Sequence, residues 1–171
     1  MKKNTDLEVY TYSISGWKKN IKGVQLSENE ELICFLKNPV DFVLDGLVFL
    51  NRKMLSAAHL EPNELLQQVF KFKVENLLKK NGYGQLGFKD YKDLFSYLKK
   101  NKVFCELALS KENIIYIGEI IEVHQESIDV DFFDTNFMLL DNAYIKYDDI
   151  KSITIFSDYV DTYGKYILSL R

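Results

Sequence analysis

One ungapped self-alignment constrains this chain more than any motif in it. At an offset of 96, residues 29–56, NEELICFLKNPVDFVLDGLVFLNRKMLS, lie on residues 125–152, QESIDVDFFDTNFMLLDNAYIKYDDIKS. Apolar positions coincide at Leu32 and Ile128, Cys34 and Val130, Leu36 and Phe132, Val43 and Leu139, Leu44 and Leu140, Phe49 and Ile145, and Met54 and Ile150. Glu30 matches Glu126, Asp45 matches Asp141, and Ser56 matches Ser152. The pairs Asp45-Gly46 and Asp141-Asn142 both tolerate positive φ, so a hairpin turn is expected at the same place in each copy. Gly23 and Gly118 precede the two stretches at nearly the same distance. The pattern reads as a duplication.

Each copy carries strand periodicity. Ile115, Ile117, Ile120 and Val123 mark one strand with an irregularity at Gly118, SIDVDFF alternates apolar residues with Asp, and AYIKYDDIKSITIF ends in another alternating run. The clusters HQES, DTN and LDNA are expected to turn the chain between them. Short antiparallel strands joined by tight turns favour a small barrel, because closure removes exposed edges.

Between the copies the period changes to that of helices. PNELLQQVFKFKVENLLKKNG opens with Asn63 as N-cap, places Leu66, Val69, Phe70, Val74, Leu77 and Leu78 on one face, and stops at Gly82. A shorter helix is expected from about Asp90 to Asn101, with Tyr91, Leu94, Phe95 and Leu98 inward. The string Gly82-Tyr83-Gly84-Gln85-Leu86-Gly87 has the spacing of a phosphate-cradling loop. A dinucleotide fingerprint needs a strand before the glycines and a helix after them, whereas here a helix precedes. Neither a Walker lysine nor the other kinase elements accompany it, so it reads as a helix stop and a loop.

Charge is unevenly spread over a net of −3. Residues 62–104 carry nine Lys against four acids, and residues 105–171 carry five bases against thirteen acids. An acidic last third suggests a cationic protein partner, or serves solubility alone, and argues against a nucleic-acid surface there. The start MKKNTDLEVY has no apolar run behind its lysines, and no segment is long enough to span a bilayer, so a cytoplasmic protein is expected. Cys34 and Cys105 each lie in an apolar strand-like segment and are read as buried reduced thiols.

No motif carries catalytic chemistry. Counted from Asp129, DVDFFDTN lacks the oxygen ligand, Gly and Glu that a calcium loop needs at positions five, six and twelve. His59 and His124 have no zinc-ligand spacing with the cysteines. Asp148 and Asp149 are adjacent, so on a strand they would face opposite ways and could not act as a facing carboxylate pair; they are read as flanking a turn. Trp17, in SGWKKN, could anchor a partner, and the expected role is core.

The repeat of strand, Gly, strand, turn, long hairpin and short alternating strand resembles the SH3-like and Sm-like small barrels, over roughly residues 12–58 and 103–158. The expected fold is therefore α+β, mainly β, with two duplicated small antiparallel barrels joined by a two-helix segment. The expected boundaries are 1–61, 62–102 and 103–171. The resemblance implies binding more than catalysis. The leading expectation is a non-catalytic protein-binding module, in particular a bacterial immunity protein that masks a basic toxin. Its partner-binding residues would be Asp129, Asp131, Asp134, Asp148 and Asp149, with no catalytic residue, cofactor or metal. The alternative is an Sm-like RNA binder using the lysine-rich central helices; an enzyme of unrecognised type ranks third.

Overall fold

Strand-forming β-branched and aromatic residues dominate both ends of the chain, and the structure, a computed structural model, organises them as two compact units, residues 1–89 and 90–171. It describes residues 2–3, 7–81, 87–110 and 115–171, with only the backbone at 2–3 and 79–81. Of the Gly82–Gly87 stretch, only Gly87 lies among the described residues, and the helix stop expected at Gly82 lies outside them.

In the first unit β1 (Lys2–Lys3), β2 (Val9–Ile14), β3 (Ile21–Glu28), β4 (Leu32–Lys37), β5 (Leu47–Asn51) and β6 (Leu55–Leu60) form an antiparallel sheet in the order β5-β4-β3-β2-β6, with β1 paired to β3. One face buries Tyr12, Ile14, Ile33, Phe35, Val48 and Leu50, and the Tyr12 and Phe35 rings stack with centroids 4.5 Å apart. Trp17 packs against this cluster, as expected of a core residue. The loop from 38 to 46 is held by the Asn38 amide, which donates to the carbonyls of Asp41 (2.8 Å) and Val43 (2.7 Å), while Asp41 adopts a φ of 43°.

Helix α1 (Glu64–Asn81) follows. The Asn63 carboxamide oxygen caps it by accepting from the Leu66 N–H (3.1 Å). Phe70 and Val74 are fully buried, and Leu66, Val69, Leu77 and Leu78 are half-buried, as their spacing requires. Gln67 ties the helix to the sheet, its side-chain oxygen accepting from the Val9 N–H at 2.9 Å.

The second unit opens with α2 (Tyr91–Lys100), capped by Asp90 and burying Tyr91, Leu94, Phe95 and Leu98, the four residues its spacing selects. Strands β7 (Cys105–Leu109), β8 (Ile115–Val123), β9 (Ser127–Phe133), β10 (Leu139–Lys146) and β11 (Ile150–Ile155) then form a sheet in the order β10-β9-β8-β7-β11. Helix α3 (Asp158–Ser169), absent from the sequence expectation, completes the unit, with Ser157 as its N-cap. Val160, Tyr163 and Ile167 of α3 cluster with Phe104 and Ile117. Gly164 makes this approach possible, since a Cβ there would lie 2.7 Å from Phe104.

The two sheets repeat the same ladder. Gly23 faces Lys37 as Gly118 faces Phe132, Phe35 faces Val48 as Val130 faces Ala143, and Tyr12 faces Ala58 as Leu107 faces Ile153. Ladder irregularities fall between Gln25 and Ser27 and again between Ile120 and Glu122. A 3₁₀ turn precedes the last strand in each, at Arg52–Met54 and Tyr147–Asp149. All these equivalences stand at a shift of 95, from Gly23 to Gly118, one residue short of the offset expected from sequence. Because strand side chains alternate faces, one residue of slip exchanges inside for outside. Phe35, not Cys34, is the counterpart of Val130. The cause is that Leu32 to Leu36 are all apolar and all buried, so this strand offers no alternation to set the phase.

Three further expectations are corrected. Asp141 and Asn142 lie inside β10, paired with Phe132 and Asp131, and the hairpin turns earlier, at residues 134–138, where the Asp134 carboxylate replaces positive-φ chemistry at Asp141. The irregularity in β8 lies past Ile120 instead of at Gly118. Finally, neither sheet closes into a barrel by strand pairing within its unit: β5 and β6 end the first order, β10 and β11 the second. Closure would need a ladder from β5 to β6 or from β10 to β11, and neither is made among the described residues. Among the described residues the fold is α+β, mainly β, with three helices and open antiparallel sheet.

Candidate functional site

The acidic strand β9 alternates as its sequence demands. Ile128, Val130 and Phe132 are buried, which turns Asp129 and Asp131 to the opposite face. There the ladder sets Asp129 across from Glu122 and Asp131 across from Glu119. Like charges directly opposed across a ladder destabilise it. Each acid has a compensating neighbour. Glu122 meets the Lys99 ammonium at 2.7 Å, which is the main cause of its lowered pKa, and Glu119 meets the Arg171 guanidinium at 2.5 Å. Asp129 lies 3.0 Å from His124 Nε2, and Asp131 accepts from the Asn142 amide at 2.7 Å.

Asp134 has a different task. Its carboxylate accepts from the main-chain N–H groups of Met138 (3.0 Å) and Asn136 (2.8 Å), which hold its pKa below the ordinary range. This closed turn places Phe137 at a φ of 64°, a conformation uncommon for a bulky residue. Asp148 and Asp149, expected to flank a turn, lie within the 3₁₀ turn before β11, and the Asp149 carbonyl accepts from the Ser110 N–H at 2.7 Å. Tyr147 in that turn stacks on Tyr91 and Phe95 at 5.1 and 5.6 Å. Of the five acids chosen from sequence, then, the strand brings Asp129 and Asp131 to one face, where Glu119 and Glu122 join them. No ladder pairs Asp148 or Asp149 with that set.

A second feature was not foreseen. The turn at 134–138 and α3 together line a groove of about 420 Å³ with Phe137, Tyr159, Tyr163 and Tyr166, and with Asp158 and Thr162. Phe137 stands edge-on to Tyr166 at 4.6 Å and lies 4.7 Å from Tyr163, while Tyr159 is 6.0 Å from Tyr163. The Tyr163 hydroxyl donates to the Asp134 carbonyl, joining helix to turn. In the turn and the β10 strand that follows it, Met138 and Tyr144 are 66% and 62% exposed, and Leu139 and Leu140 are exposed too. The corresponding strand of the first unit, β5, is buried throughout. The available signal was the spacing of Tyr159, Tyr163 and Tyr166 at i, i+4 and i+7, one stripe of a helix.

Among the described residues no three His, Cys, Asp or Glu side chains converge to hold a metal ion, and no helix is long and apolar enough to cross a membrane. Both thiols are buried in strands, and desolvation pushes Cys34 up to about 12 and Cys105 higher still, which opposes the reactive thiolate. What the arrangement offers is a surface of exposed aromatic and aliphatic side chains beside paired acids. No protein-family model, no curated protein and no solved structure matches the chain.

Proposed function

We propose that this chain is a non-catalytic, cytoplasmic protein-binding module whose second unit takes up a basic partner, and that its role is that of an immunity protein masking a basic toxin. The observation that carries the reading is the exposed set Met138, Leu139, Leu140, Tyr144, Tyr159 and Tyr166 within the stretch where thirteen acids face five bases. Apolar side chains left open in this way are typical of partner surfaces. Surrounding acids would steer a cationic protein toward them and reject anionic ones. We also read the two units as copies of one repeat whose strand pattern resembles the SH3-like and Sm-like small barrels, with its sheet left open; the equal ladders and the paired 3₁₀ turns support the repeat.

The RNA-binding alternative has less support. Lys99 is paired with Glu122, Lys92 donates to Gln125, and Lys73 donates to the Phe42 carbonyl, so these lysines already serve local contacts.

The test is titration calorimetry of the full chain against the product of the neighbouring gene, at low and at physiological salt. Association that weakens as salt rises is expected, together with rescue of growth when the two are co-expressed. No association at low salt, or growth unaffected by co-expression, counts against the proposal. Tight retention of single-stranded RNA in a filter assay would favour the alternative.

A further inference from the structure

We infer that the groove between α3 and the 134–138 turn is a receptor for one cationic side chain, an arginine or lysine, of the protein partner; this rests on the protein-binding reading above. Aromatic faces carry negative electrostatic potential, and a guanidinium or ammonium within about 6 Å of a ring centroid is attracted to it. Here Phe137, Tyr159, Tyr163 and Tyr166 line one groove, with ring neighbours at 4.6 to 6.0 Å. Asp158 supplies a formal negative charge at the wall, and among the described residues that line the groove there is no lysine or arginine.

The groove is built, not fluid. Asp134 fixes the turn through two main-chain N–H groups, Tyr163 donates to the Asp134 carbonyl, and Phe137 is held at a left-handed φ of 64° with its ring against Tyr163 and Tyr166. Backbone held in a sparsely populated region is common at ligand clamps, where surrounding contacts over-determine it. Tyr159 and Tyr166 remain exposed beside this fixed wall, so a side chain can enter without rearrangement. Charge selects the occupant: residues 105–171 carry five bases against thirteen acids, which favours arginine or lysine over an apolar side chain of equal size.

The experiment titrates the isotopically labelled full chain with butylguanidinium, and separately with the neutral isostere butylurea, following ring resonances by NMR. Shifts of the Phe137, Tyr159, Tyr163 and Tyr166 rings with butylguanidinium, and much smaller ones with butylurea, are expected. Affinity should fall about tenfold in the combined Tyr159→Leu and Tyr166→Leu variant and about threefold in Asp158→Asn. Phe72→Leu, an exposed aromatic residue outside the groove, should leave it unchanged. Equal shifts with butylurea, or none with butylguanidinium, overturn the assignment. Octa-arginine separates the two levels: if it binds the unmodified chain and the Tyr159→Leu, Tyr166→Leu variant equally, the groove assignment alone fails. If it fails to bind the unmodified chain at low salt, the acidic-surface reading fails with it.

Discussion

Gly118 in β8 stands directly across from Phe132 in β9, and it is the repeat of Gly23 across from Lys37 in the first unit. In the second unit a Cβ would lie 2.5 Å from Val130 Cγ1 and 2.8 Å from the Asp131 carbonyl; in the first it would meet the Phe35 ring and the Leu36 carbonyl. Glycine in a strand usually weakens it, and it persists where another group comes too close for a side chain. At both positions the close approach is that of the next strand's backbone and of a core residue, Phe35 or Val130.

Gly23→Ala and Gly118→Ala should therefore each destabilise the protein by about 1–3 kcal/mol, the usual cost of overpacking a filled interior. Urea unfolding measures it, and an unchanged midpoint in either variant would show that the strands can part at no cost.

In α3, Gly164→Ala has two opposing effects. Alanine in a helix interior ordinarily gains about 0.5–1 kcal/mol over glycine. The new methyl would sit 2.7 Å from both Cβ and Cγ of Phe104, and the resulting overpacking, about 1–3 kcal/mol, outweighs that gain. A lowered midpoint is expected; a raised one would mean that the helix lifts away from Phe104 freely.

Asn38 is buried, and its amide serves the carbonyls of Val40 (3.2 Å), Asp41 (2.8 Å) and Val43 (2.7 Å) from two protons, so at least one proton is shared. Asn38→Ala removes every one of these bonds and should cost about 1–3 kcal/mol. Amide exchange should quicken at Val43, whose N–H donates to the Val40 carbonyl within the same loop. Unchanged exchange there would separate the loop from Asn38.

The pH dependence of the 134–138 turn has a definite sign. The Asp134 carboxyl is held below its ordinary 3.8, first by the Met138 N–H and then by that of Asn136. The folded state binds this proton more weakly than the unfolded chain does. The stabilisation is thus complete above the ordinary value and is lost as pH falls through the lower folded one. Carboxyl carbon shifts followed against pH should give an Asp134 midpoint under 3.8. A midpoint at or above that value contradicts the capping role, and Asp134→Asn should loosen Phe137 in the groove.

Much of the helical content was legible because it rests on neighbours in sequence. Asn63 and Asp90 cap α1 and α2 where their positions imply, and the four buried residues of α2 are the four its spacing selects. The missed helix α3 is locally ambiguous. Tyr159, Val160, Tyr163 and Tyr166 favour strands by propensity, and Gly164 interrupts the pattern for a reason, contact with Phe104, that no local window contains.

The sequence by itself determined which segments alternate, where both early helices begin, and that the last third is acidic, since these depend on composition and on spacings of a few residues. Tertiary structure alone decided the register of the repeat, the open sheets and the aromatic groove. A strand buried on both faces, such as Leu32 to Leu36, carries no phase that sequence can read, so only its paired neighbours fix which side chains face inward. The groove likewise depends on Phe137 and Tyr159 to Tyr166, apart in the chain, being brought together by ring contacts and by the bond from the Tyr163 hydroxyl to the Asp134 carbonyl.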